Sequence, residues 1–253
     1  MPELPEVETI VRGLKVLEGD TLLHLDIRDP RLREPLRGLC LPRRVESVRR
    51  RGKYILLELD RGLLIFHLRM TGRLLLGEEA PDDARLALSF PKQVLYLLDR
   101  RGFATAEYAS SFAKELGPEP FGDLSWLKDA LRRSRRPVKL WLMDQRNIAG
   151  IGNIYASEIL FHARIDPRRP ANSLKPGEVE ALVRAIPEVL SRAIAHRGTT
   201  FSDYRDARGE RGGFQEFLLV YRREGKPCKV CGTPIRRIRL GGRSTFFCPR
   251  CQR

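Results

Sequence analysis

Two Cys-x-x-Cys pairs close the sequence, Cys228 with Cys231 and Cys248 with Cys251, and sixteen residues separate them. That spacing suits a four-thiolate zinc site, in which each pair forms a knuckle that offers two sulfurs to one tetrahedral ion. Between the pairs, IRRIRL and RSTFF alternate like strands around Gly241 and Gly242, a dipeptide suited to a two-residue hairpin turn. The predicted module is a zinc-stapled β-hairpin with Arg243 at its tip, where a guanidinium can reach phosphate. A second stretch, MDQRNIAGIGNIYASE at 143–158, joins two helical segments through a turn containing Gly150 and Gly152, with Asn153 as the predicted N-cap of the second helix. Helix N-termini bind phosphate through their free N–H groups. The third stretch is the start, MPELPEVET, where Glu3, Glu6 and Glu8 follow Pro2. Local pattern alone reads it as a helix start, with proline at a position that needs no N–H donor and acids facing the positive end of the dipole.

These residues sit on a strongly basic chain. Lys and Arg number 47 against 32 acids, a formal charge of +15 over 253 residues, and the pI is near 10.2. Such a balance points to a polyanionic partner. The arginines cluster at 43–53, 99–101, 131–139 and 236–243, a spread that suggests a long groove rather than a basic tail. No apolar run is long enough to span a bilayer and no basic-then-apolar leader opens the chain, so no membrane is expected. Cys40 stands alone, and with the zinc pairs it points to a reducing, cytoplasmic setting.

The elements that must position these groups divide the chain. TLLHLDIRD, YILLELD, GLLIFHLRM, ARLALSF and QVLYLLD are short apolar or alternating runs, the signature of a sandwich or barrel behind an N-terminal helix. The Pro- and Gly-containing stretch at 114–125 reads as a linker, closing a domain over 1–113. SWLKDALRRS, PVKLWLMDQ, IYASEILFHAR and GEVEALVRAIPEVLSRAIAH then read as helices of a second domain over 126–223, the last kinked at Pro187. RDARGERGGFQ at 205–215 reads as a mobile surface loop. The zinc module occupies 224–253. The fold class is α+β.

Together the motifs MPELPEVET, RRGKYILLEL, HLRMTG, DRRGF, LGPEP, DQRNIAGIGNIYASE, GTTFSDY and the terminal cysteines resemble the formamidopyrimidine-DNA glycosylase family along essentially the whole chain. The resemblance implies an N-terminal β-sandwich with flanking helices, a helical domain with a helix–two-turn–helix, a zinc finger, and double-stranded DNA with oxidised bases or abasic sites held in a cleft, bound by a monomer. It also implies that Pro2 is the nucleophile. Loss of Met1 would leave a secondary amine, and a free α-amino group has a reference pKa of about 7.7–8.0 against about 10.4 for lysine. Attack on C1′ of the sugar would give a necessarily cationic iminium, an electron sink for strand elimination. By the same residue-wise resemblance, Glu3 is the general acid–base and Glu6 a carboxylate that arranges the site. Lys53, His67, Asn153 and Arg243 match phosphate ligands around the flipped nucleotide. Met70, Arg101 and Phe103 match the side chains that fill the gap a flipped base leaves.

Two departures stand out. Arg69 replaces the usual glycine of HLGM, and DRRGFA replaces DPRRFG, so that Gly102 and Ala104 are expected to loosen the loop carrying Arg101 and Phe103. The competing readings are an endonuclease VIII-type enzyme for oxidised pyrimidines on the same fold, and a non-catalytic zinc-ribbon DNA-binding protein. PELPEVE and the Arg101-x-Phe103 pair favour the purine enzyme. A zinc ribbon would have no need of Pro2 beside Glu3.

Overall fold

The computed structural model describes residues 2–253. Met1, whose removal the expected role of Pro2 calls for, lies outside the described residues. The chain forms two compact units, each described by itself. One runs to Lys114 and includes Ile194–Gln215; the other is Glu115–Ala193 with Glu216–Arg253.

The first unit opens with α1 (Leu4–Leu14), whose Val7, Ile10, Val11 and Leu14 form one buried face. Its strands are β1 (Thr21–Leu22), β2 (His24–Ile27), β3 (Arg43–Arg51), β4 (Tyr54–Leu59), β5 (Leu63–His67), β6 (Arg73–Gly77), β7 (Ala84–Ser89), β8 (Val94–Leu98) and β9 (Thr105–Ala109). They build two antiparallel sheets, in the orders β1-β3-β4-β5-β9 and β2-β7-β8-β6. Period-2 alternation sends Ile55 and Leu57 of β4, Leu64 and Phe66 of β5, and Leu95 and Leu97 of β8 into one core with α1. The intervening residues Leu56, Leu63 and Ile65 pack in a second cluster with Tyr54 and Phe112. The arginine-rich run at 43–51 is itself a strand, in which Val45 and Val48 are buried between exposed cations. A register shift between Val45 and Ser47 breaks its alternation.

The stretch at 205–215 departs from the expected mobile surface loop. Ala207 is fully buried in the sandwich core, and its carbonyl accepts the Leu76 N–H at 2.8 Å. The Asp206 carboxylate accepts the Arg208 and Glu210 N–H groups and pairs with Arg197.

The second unit contains α2 (Leu127–Arg132), α3 (Val138–Met143), α4 (Asn153–His162), most of α5 (Pro176–Ala195), and the hairpin β10 (Arg236–Leu240) and β11 (Arg243–Phe247). α5 runs as one helix that includes Pro187, the position of the expected kink. Gly241 and Gly242 both take positive φ, 53° and 75°, which a two-residue turn joining twisted strands requires. Among the described residues, no helix is long and apolar enough to cross a membrane.

Candidate active site and nucleic-acid interface

Pro2 and Glu3 are buried at the entrance of α1, with Glu3 as its N-cap. The Glu3 N–H donates to Oε2 of Glu6 at 2.7 Å, and the Thr199 N–H donates to Oε1 of the same carboxylate at 2.7 Å. Glu6 is itself buried, so a charged group taken from water is held by backbone donors on both oxygens. This fixes the backbone beside Pro2. The second donor comes from a segment far along the chain, and its fit depends on Gly198. That residue has φ 76°, and a Cβ there would lie 2.7 Å from Glu6 Oε1. Tyr204 braces the same segment by donating its hydroxyl to the Arg197 carbonyl at 3.0 Å. Burial pushes that phenol well above its usual range. GTTFSDY carries these residues in the sequence, but nothing local in it shows that they hold Glu6.

α1 packs on β3 and β4, and Lys53 occupies the two-residue turn joining those strands, where it is buried. His67 ends β5, edge-on to Tyr54 with ring centroids 4.7 Å apart. Burial lowers its pKa to about 3, helped by the charges of Arg69 and Lys53. The imidazole is therefore neutral at neutral pH. Nδ1 accepts the Arg69 N–H at 3.1 Å, which leaves the proton on Nε2 as the donor.

The three gap-filling candidates are brought together by a residue that the motif DRRGF contains but whose role its spacing does not reveal. Oδ1 of Asp99 accepts from the Thr71 hydroxyl at 2.6 Å and from the Arg101 N–H at 3.1 Å. Oδ2 accepts the Phe103 and Ala104 N–H groups at 2.6 and 2.7 Å. Burial works against the charge, but these donors hold the carboxyl below its ordinary value. One carboxylate thus ties the Met70 turn to the Arg101–Phe103 loop. Arg101 Nη1 lies 3.9 Å from the Met70 sulfur, and its guanidinium sits 4.9 Å from the centroid of the Phe103 ring. Met70 and Phe103 are 46% and 51% exposed, unusual for large apolar side chains with no core to fill. The expected loosening at Gly102 and Ala104 is not what the structure shows: Asp99 braces the loop, and the Arg31 guanidinium fills the space where a Gly102 side chain would go.

In the second unit, Asn153 is the first residue of α4, and Gly152 takes the N-cap position expected of Asn153. The Asn153 side chain is engaged elsewhere. Its Oδ1 accepts from Lys139 Nζ at 2.7 Å, and its Nδ2 donates to the Ser244 carbonyl at 3.1 Å. Lys139 lies within an arginine-rich run that reads as surface, yet it is fully buried. Its ammonium also donates to Thr245 Oγ1 at 2.8 Å and the Ser244 carbonyl at 3.2 Å. α3, the start of α4 and β11 are therefore locked together next to Arg243, which is exposed and opens β11. Gln145 closes the two-turn segment, donating to the Met143 and Ile151 carbonyls and accepting the Gly150 N–H. Glu158, fully buried on α4, accepts the N–H groups of Leu219, Val220 and Tyr221. Burial pushes its carboxyl up in spite of those donors.

The sulfurs of Cys228, Cys231, Cys248 and Cys251 all lie within 4.8 Å of one another. A tetrahedral Zn²⁺ with bonds of about 2.3 Å places its sulfurs about 3.8 Å apart, and the Cys228–Cys251 and Cys231–Cys248 separations are 3.9 and 3.5 Å. Four thiols with this spacing, joined among the described residues by no His, Asp or Glu, fit one structural Zn²⁺.

Comparison with known proteins accounts for nearly the whole chain. Residues 1–106 match the formamidopyrimidine-DNA glycosylase N-terminal domain, 116–205 the H2TH domain of the same enzymes, and 225–253 the zinc finger found in FPG and IleRS. A formamidopyrimidine-DNA glycosylase of Edwardsiella ictaluri is 45% identical over 269 residues, covering 100% of both chains. The crystal structure of MutM (Fpg) from Thermus thermophilus superposes with a TM-score of 0.90 at 42% identity, covering 99% of this chain and 98% of that one. A mutant of Lactococcus lactis Fpg, in complex with a Fapy-dG containing DNA, superposes with a TM-score of 0.93 at 34% identity, covering 100% of both chains.

Proposed function

This chain belongs to the formamidopyrimidine-DNA glycosylase family, and from that premise we propose that it is a bifunctional DNA glycosylase and abasic-site lyase. Its substrate is double-stranded DNA carrying oxidised purines, 8-oxoguanine and formamidopyrimidines, or abasic sites. The observation that carries this reading is the buried start of α1, where one Glu6 oxygen accepts the Glu3 N–H beside Pro2 and the other accepts the Thr199 N–H.

As encoded, the Pro2 nitrogen is an amide, and removal of Met1 turns it into a secondary amine. That nitrogen attacks C1′, the bond from C1′ to the damaged base breaks, and the base leaves with the bonding electrons and a proton. Glu3 protonates the sugar ring oxygen, so that the ring opens to an iminium on Pro2. The cationic nitrogen then accepts the electrons released when a proton leaves C2′, and the phosphate on C3′ departs; a second elimination releases the phosphate on C5′. Glu3 is a single carboxylate positioned to exchange protons at both sugar atoms. Glu6 acts by positioning.

Lys53, neutral His67 through Nε2–H, Asn153 and Arg243 bind phosphates around the flipped nucleotide. Met70, Arg101 and Phe103 occupy the gap, with Arg101 donating to the widowed cytosine. Cys228, Cys231, Cys248 and Cys251 hold one Zn²⁺, which supplies folding energy to a hairpin too small to make its own core. The protein acts as a monomer in the bacterial cytoplasm, a setting in keeping with cysteines kept as thiolates for metal. Excision assays on matched duplexes test the substrate. Faster release of 8-oxoguanine opposite cytosine than of an oxidised pyrimidine supports the reading. The reverse order assigns the chain to the endonuclease VIII type.

A further inference from the structure

The turn between β5 and β6 holds a residue to which the reaction gives no task. Arg69 has φ 53°, in the left-handed region that glycine enters freely and that crowds the Cβ of any other residue. This is the physical reason a glycine suits the position. The turn's hydrogen bonds run from the Arg69 N–H to His67 and from the Gly72 N–H to the Leu68 carbonyl at 2.9 Å, so neither uses the guanidinium. Arg69 is exposed, and among the described residues no carboxylate forms an ion pair with it.

Four non-glycine residues take positive φ among those described, and all are arginine. Arg164 and Arg197 do so just past the ends of α4 and α5, where helices commonly finish in this conformation. Arg69 ends no helix. It stands directly before Met70, whose sulfur meets Arg101. The wedge therefore carries on its shoulder a cation held in a strained conformation and matched to no acid.

We propose that Arg69 is a DNA-backbone contact, binding a phosphate next to the gap that Met70, Arg101 and Phe103 fill. The inference rests on the DNA-repair reading above. Adjacent Cα atoms are about 3.8 Å apart, so a residue beside a side chain inserted between bases is carried against the sugar–phosphate edge. Cations flanking apolar wedges hold kinked duplexes in this way. Contact with a polyanion also gives the guanidinium the counter-charge that the protein withholds.

The test measures binding to a duplex with a tetrahydrofuran abasic analogue, across a salt series. Arg69→Gln and Arg69→Gly are expected to reduce the slope of log K against log salt by about 0.9, the value for one phosphate, whereas Arg69→Lys keeps it. Arg69→Gly is also expected to melt at a higher temperature than the wild type, which shows that the loss of slope is not a loss of fold. Arg164→Gln, which removes another exposed cation with no ion pair among the described residues, is expected to keep the wild-type slope. A wild-type slope for Arg69→Gln overturns the inference, as does an equal loss in Arg164→Gln, which would make the effect one of net charge. A wild-type protein that does not bind the duplex overturns the DNA-repair reading itself, and the Arg69 contact with it.

Discussion

Replacing Lys139 by methionine removes a buried ammonium while keeping the length and most of the volume of the side chain. In the folded protein that ammonium donates to Asn153 Oδ1, Thr245 Oγ1 and the Ser244 carbonyl. The Ser244 carbonyl retains Asn153 Nδ2 as a partner, so the change strands chiefly Asn153 Oδ1 and Thr245 Oγ1. An unsatisfied buried acceptor costs about 1–3 kcal/mol, and removal of the charge returns part of its desolvation penalty. The net loss should be about 3 kcal/mol, and at about 2–4 °C per kcal/mol for a chain of this size the melting temperature should fall by roughly 6–12 °C. DNA affinity should fall as well, because Asn153 and the start of β11 beside Arg243 lose their common anchor. The assays are thermal unfolding and binding to abasic-analogue duplex, with zinc content measured to show the finger intact. A variant that melts within a degree or two of the wild type and binds equally well would refute the view that Lys139 organises this surface.

Gly198→Ala places a methyl group against Glu6 at a residue with φ 76°; the left-handed backbone alone costs about 1–2 kcal/mol, and excision should fall more than DNA binding. Glu3→Gln keeps shape but removes proton transfer, so it should bind lesion duplex normally and lose most base release. Because burial lowers the His67 pKa to about 3, between about pH 6.5 and 3 the unfolded chain binds a proton there that the folded one does not. Stability should fall with acidification across that window, with a shallower slope in His67→Asn; His162, also lowered by burial, contributes the same sign. Chelation of zinc should unfold the hairpin and weaken DNA binding, and metal analysis far below one zinc per folded, active chain would contradict the four-cysteine site.

Features set by neighbouring residues can be read from the sequence. The cysteine tetrad, the Gly241–Gly242 turn and α1 each depend on a short spacing, and each lies where that spacing puts it. Features set by distant packing cannot. β3 is masked by its own arginines and by a bulge that breaks its alternation. Lys139 looks like one more surface cation until α4 and β11 close over it. Asn153 has the residue type of an N-cap, but a stronger donor claims its side chain. The 205–215 stretch lacks a core pattern because one residue, Ala207, anchors it. At the site, residue types and motifs point to Pro2, Glu3 and Glu6. The groups that hold them, Gly198 and Thr199, become visible only when the chain returns to α1.

If Pro2 is the nucleophile, its nitrogen is bonded to the sugar during turnover, and reduction captures that bond. The protein lacking Met1, confirmed by intact mass, is incubated with a duplex containing 8-oxoguanine opposite cytosine in the presence of borohydride, and the product is mapped by peptide mass spectrometry. A one-to-one covalent complex is expected, in which the reduced sugar is attached to the nitrogen of Pro2. Attachment to a lysine, Lys53 included, or no covalent complex from protein that binds the lesion, would contradict the role of Pro2.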